Sequence, residues 1–73
     1  MKDYHINILY SNEDEGYIAD IPDLKYCSAF GETPDEALKN VIAAKKAWLY
    51  AAKKNKKPIP KPKYRSAIYK IPS

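Results

Sequence analysis

The chain has 73 residues, with 13 basic and 9 acidic side chains, one Cys, one Trp and seven Tyr, which leaves room for one small domain. No run approaches the roughly 18 apolar residues of a membrane helix, and Lys2-Asp3-Tyr4-His5 is not followed by the apolar core of a signal peptide, so a cytoplasmic protein is expected. Cys27 has no second Cys to pair with, and one His with one Cys is too few for a zinc site, so neither a metal nor another cofactor is expected.

The net charge of +4 conceals a division. Residues 1–40 hold all nine acids against three lysines, a balance of −6, whereas residues 41–73 hold ten bases and no acid. A domain of this size draws only about 3 to 5 kcal/mol from a single core, so a homodimer or higher homo-oligomer is expected.

In chain order, residues 4–10 alternate with period two, placing Tyr4, Ile6, Ile8 and Tyr10 on one face of a strand and His5, Asn7 and Leu9 on the other. The polar, acidic stretch Ser11 to Gly16 is a turn, and residues 17–21 form the returning strand, closed by Pro22 and Asp23. A third strand follows at 27–30 and stops at Gly31. Thr33-Pro34-Asp35-Glu36 combines a capping Thr, a Pro at the first helical position and a Glu that can return a bond to the Thr33 backbone. The helix predicted from this start spans 34–54, with Leu38, Val41, Ile42, Trp48, Leu49 and Ala52 on its apolar stripe.

Lys45 falls within that stripe, which calls for a stem laid over apolar surface with its charge at the margin, or for an acidic partner. Residues 55–64 are a Lys/Pro connector in which Pro58, Pro60 and Pro62 enforce extended backbone. A fourth strand is predicted at 66–71. The expected fold is α+β, in the order β-β-β-α-β, with a small antiparallel sheet and one helix packed on one face. One helix can cover only one face, yet the strands carry apolar side chains on both, with Leu9 opposite the Tyr4/Ile6/Ile8/Tyr10 set and Ile18 opposite Tyr17, Ala19 and Ile21, so the uncovered face or a sheet edge is expected to bind something.

The residues do not arrange themselves as an enzyme's. Glu13, Asp14 and Glu15 are adjacent in a turn and diverge, unlike ligands that converge on a cation. His5 has no nucleophile at motif spacing, Cys27 has no base or helix start beside it, and two glycines cannot build a phosphate loop. Lys53, Lys54, Lys56, Lys57, Lys61, Lys63 and Arg65, interleaved with Tyr64, could hold phosphates, so a basic nucleic-acid-binding module is an alternative to the plain reading of a solvated helix end and connector.

The segment from Glu15 to Leu38 resembles the signature of the HicB-like antitoxin family. The matching residues are Gly16, Tyr17, Ala19, Ile21 to Leu24, Cys27 and Gly31 to Leu38, and Trp48-Leu49 and Pro58-Ile-Pro60-Lys-Pro62 also fit. The resemblance implies a partial ribonuclease-H-like fold. It further implies a type II antitoxin that binds and masks a HicA-type toxin, a small basic RNA-cleaving protein. Ribonuclease H proper uses carboxylates on its first strand, in its helix and on its fourth strand, and this chain has none between Tyr4 and Tyr10 or beyond Glu36. The expected protein is therefore not an enzyme, and Glu13, Asp14, Glu15, Asp20 and Asp23 are the candidate toxin contacts.

Two departures from the family pattern stand out. Many members have Leu-Pro-Gly-Cys where this chain has Leu24-Lys-Tyr-Cys27, which predicts a different turn before the third strand. Many also continue into a C-terminal DNA-binding domain, whereas this sequence ends at Ser73, so a single domain without DNA binding is expected. A stand-alone oligomeric protein with no toxin is a further alternative.

Overall fold

The computed structural model describes residues 3–64. Three strands, β1 (Asn7–Ser11), β2 (Gly16–Asp20) and β3 (Ser28–Gly31), precede one helix, α1 (Pro34–Lys54). The sheet is antiparallel in the order β1-β2-β3 and α1 packs on one of its faces, the α+β arrangement with β-β-β-α order that the pattern predicts. The fourth strand predicted at 66–71, and Arg65 with it, lie outside the described residues.

The strand ends differ from those read off the sequence. The first strand begins at Asn7 rather than at residue 4, the second covers 16–20 rather than 17–21, and the third covers 28–31 rather than 27–30. A hydrogen-bonded turn links β2 to β3. The Ile21 N–H donates to the Cys27 carbonyl, the Leu24 N–H to Ile21 and the Cys27 N–H to Leu24, each at 3.0 Å. The Ile21 N–H thus points to the β3 side, and the next residue to face β1 is Pro22, which has no N–H to offer the residues before Asn7.

Within this turn Tyr26 adopts φ 63°, the left-handed region, at the position where the HicB-like pattern has Gly. A non-glycine residue loses about 1 to 2 kcal/mol there, and the Tyr26 side chain is 90% exposed, with only the Lys25 ammonium over its ring, 5.3 Å from the centroid. Tyr26→Gly is expected to stabilise the protein by about 0.5 to 1 kcal/mol after the extra freedom of glycine in the unfolded chain is subtracted. A rise in the urea midpoint at unchanged slope checks this, and a fall refutes it.

The core consists of Ala19, Ile21, Leu24, Cys27, Ala37 and Val41, with Tyr4, Ile6, Tyr17, Ala29, Ala44, Trp48 and Leu49 packed around it. Helix α1 leans mainly on β3 and β2 and least on β1. This placement leaves Ile8 and Tyr10 exposed although they alternate onto the helix side. It also turns Ala37 inward and leaves Leu38 exposed, so the buried stripe is rotated from the one centred on Leu38. The reason is Gly31. A β-carbon built there would lie 2.2 Å from the Ala37 nitrogen, so the first turn of α1 rests directly on the β3 backbone.

Both helix ends are capped by local chemistry. Thr33 Oγ1 accepts from the Glu36 N–H at 3.1 Å, while the Glu36 carboxylate accepts from the Glu32 N–H at 3.3 Å, one residue earlier than the expected Thr33. At the other end Asn55 caps, Lys56 turns left-handed at φ 55°, and the Lys57 N–H returns to Ala52 at 2.8 Å and the Lys56 N–H to Lys53 at 3.2 Å.

Lys45 resolves as a combination of both expected accounts. Its side chain is only 17% exposed, and its ammonium reaches Asp3, 42 positions away, at 3.2 Å. The Tyr4 N–H and the Lys45 ammonium hold the Asp3 carboxyl below the usual carboxylate range.

Candidate functional site

The face of the sheet opposite α1 is built by register. Leu9 of β1 pairs with Ile18 of β2, which pairs with Phe30 of β3, so three apolar side chains form a row across the strands. No described element covers them: Leu9 is 51% and Phe30 43% exposed. Gly16 shapes one end of the row, since a β-carbon there would fall 2.3 Å from Phe30 Cζ and 2.9 Å from the Gly31 carbonyl oxygen. The missing side chain lets the Phe30 ring lie down over β2. Alternation set Leu9 and Ile18 each opposite its own strand's other apolar residues; that they pair on the face away from α1, with Phe30 beside them, follows only from the register.

Carboxylates rim this row. Asp20 lies in β2 on the same face, between Asn7 and Ser28 in register. Asp14 folds back from the hairpin turn, its Oδ2 accepting from Ser11 Oγ at 2.9 Å while its N–H donates to that hydroxyl at 3.3 Å. It borders a shallow depression with Ile18, Ser28, Ala29 and Phe30. Glu13 and Glu15 are exposed in the same turn, with Glu15 left-handed at φ 52°.

Asp23 lies elsewhere. Its carboxylate accepts from the Lys63 N–H at 3.0 Å and the Tyr64 N–H at 3.1 Å, which fastens the proline connector to the end of β2. The same connector is held by the Tyr4 hydroxyl, which donates to the Pro60 carbonyl, and by the Tyr64 ring, 4.6 Å from that of His5. His5 Nε2 in turn contacts Asn7 Oδ1 at 2.7 Å. The structure thus sets Asp14 at the hairpin-turn end of the open face and Asp20 at the far end of β2 on the same face, with Glu13 and Glu15 in the turn, and commits Asp23 to an internal role.

Lys53, Lys54, Lys56, Lys57, Lys61 and Lys63 are all exposed along the end of α1 and the connector. Burial pushes the Cys27 thiol pKa up, with Lys45 opposing, so Cys27 stays a thiol at neutral pH and packs as a small apolar group. Among the described residues no helix is long and apolar enough to cross a membrane, and no three His, Cys, Asp or Glu side chains converge as a metal site. An apolar row with a carboxylate rim is suited to burying the surface of another macromolecule, with the charges setting orientation.

The fold and this face define a small α+β protein with one open, acid-rimmed sheet surface. The chain is 34% identical over 53 residues, 73% of its own length and 73% of the relative's, to the UPF0150 protein ssl0259 of Synechocystis sp. strain PCC 6803. It belongs to the UPF0150 family. No family model matches the chain, and no solved structure matches it.

Proposed function

We propose that this protein is a non-catalytic, HicB-like antitoxin of a type II toxin-antitoxin system that acts in the cytoplasm by masking a small basic HicA-type toxin. The observation that carries the reading is the uncovered row Leu9, Ile18 and Phe30 with Asp14 and Asp20 at its rim. An RNA-cleaving partner presents a positive surface, and carboxylates around an apolar centre steer such a surface and fix its register. Membership of the UPF0150 family and the HicB-like motifs from Gly16 to Leu38 support the same reading.

Co-expression with a HicA-type toxin is expected to give a complex in which RNA cleavage is suppressed. Asp14→Lys combined with Asp20→Lys should weaken that complex, most strongly at low salt where the new ammonium groups repel the basic partner unscreened. A toxin that fails to bind, or that binds and still cleaves RNA, overturns the proposal. A second reading, nucleic-acid binding, draws on the exposed lysines 53, 54, 56, 57, 61 and 63. It requires the purified chain alone to bind RNA or DNA with an affinity that falls steeply as salt rises.

A further inference from the structure

Tyr26 costs the chain stability that no contact among the described residues offsets. Its φ of 63° lies in the left-handed region, it is 90% exposed, and only the Lys25 ammonium lies over its ring. The backbone beneath it is fixed. Three 3.0 Å bonds close the turn, Leu24 is buried, and Trp48 Nε1 donates to the Lys25 carbonyl at 2.9 Å. An aromatic ring held out from the surface on a rigid turn loses little freedom when a partner covers it, which is the property of an interface anchor.

The chemistry beside the ring says what covers it. Tyr26 and Asp20 line one shallow depression, together with Ile21, Cys27 and Ser28. Asp20 is the last residue of β2 and faces Ser28 in the register, so the depression continues the open face past its carboxylate rim. Among the described residues no hydrogen bond or ion pair engages the Asp20 carboxylate. We propose that this depression is a binding site for an arginine side chain of the toxin. The guanidinium makes a paired hydrogen bond to the Asp20 carboxylate and lies flat on the face of the Tyr26 ring that Lys25 leaves open. A lysine, a compact and strongly hydrated charge, meets the carboxylate or the ring but does not span both. Leu9, Ile18 and Phe30 supply buried apolar area, and this site supplies selectivity among basic partners. The identity of the partner rests on the proposed function, whereas the affinity for a guanidinium does not.

Titration of the purified full chain with acetyl-arginine amide, followed by NMR, is expected to shift the Tyr26 ring protons, and acetyl-lysine amide at the same concentration is expected to shift them far less. Asp20→Asn should abolish the arginine response. With a HicA-type toxin, Tyr26→Gly should weaken binding roughly tenfold or more while it raises the urea midpoint, and Tyr26→Phe, which keeps the ring, should restore the affinity. Stability and binding then move in opposite directions, which a purely structural role for the ring would not produce. Tyr26→Gly and Asp20→Asn together should weaken binding little more than either alone, because each removes the hold on the same guanidinium. The proposal is overturned by a ring that does not respond to the arginine compound, or by a Tyr26→Gly chain that binds toxin as tightly as wild type. A Tyr26→Gly chain with a lower urea midpoint also overturns it, since another part of the chain would then hold the ring. A wild-type chain that binds no toxin overturns the antitoxin reading, and the arginine response would still support the site.

Discussion

Gly31→Ala is expected to abolish cooperative folding or to lower the melting temperature by about 15 °C or more. The added methyl would sit 2.2 Å from the Ala37 nitrogen and 2.7 Å from both the Ala37 Cα and the Glu36 carbonyl carbon. All three are backbone atoms of the first turn of α1, so no rotamer change relieves the clash and the helix must lift off β3. Lifting it exposes Ala37 and Val41 and opens the contact with Ala19 and Leu24, the centre of the core. Overpacking ordinarily costs about 1 to 3 kcal/mol. A core of this size holds only about 3 to 5 kcal/mol in total, so little remains. A thermal melt within a few degrees of wild type would show that the β3–α1 contact is softer than its geometry indicates. Gly16 offers the contrast: its nearest obstacle is the Phe30 ring, a side chain that can swing out into solvent.

Leu24→Ala is expected to cost about 2 to 5 kcal/mol, in the range for deleting a fully buried leucine. Leu24 is one of the three largest fully buried side chains, with Ile21 and Val41, and it is set there by a turn rather than by a strand or the helix. Trp48 Nε1 donates to the Lys25 carbonyl at 2.9 Å, so the turn is pinned to α1 and has little freedom to collapse into the space a shorter side chain would leave. The midpoint of urea unfolding should fall with its slope unchanged. A loss below about 1 kcal/mol would mean that the turn does close over the gap.

These two residues mark how much the sequence discloses. Helix α1 was legible at both ends, 34 and 54, because the cap, the first-turn acids, the last-turn lysines and the apolar spacing all act within a few positions of one another. The strands were legible as strands, but their ends were not. The Ile21 N–H and carbonyl are used toward Cys27 and Leu24, and Pro22 beyond it offers no N–H to β1, details of turn bonding that leave no periodic signal. The candidate site was half legible. Alternation set Leu9 and Ile18 apart from the other apolar residues of their strands, but which face α1 covers, and that Phe30 joins them on the other, was decided by register and by Gly31 facing Ala37.

The acidic residues show the same division. Glu13, Asp14, Glu15, Asp20 and Asp23 look alike along the chain, and only folding separates them, since Asp23 meets the Lys63 and Tyr64 backbone 40 and 41 positions away while Asp14 and Asp20 stay on the open face. Lys45 likewise meets Asp3 across 42 positions.

By itself the sequence determines the order of elements, the extent of α1 and a charge division of −6 against +10, because each follows from composition or from neighbours within a turn or two. Only the tertiary structure decides where the strands stop, that Asp23 binds the connector's backbone, and that Lys45 meets Asp3. Those outcomes depend on which distant backbone groups and charges meet, and contacts across 40 residues are set by packing and not by local preference.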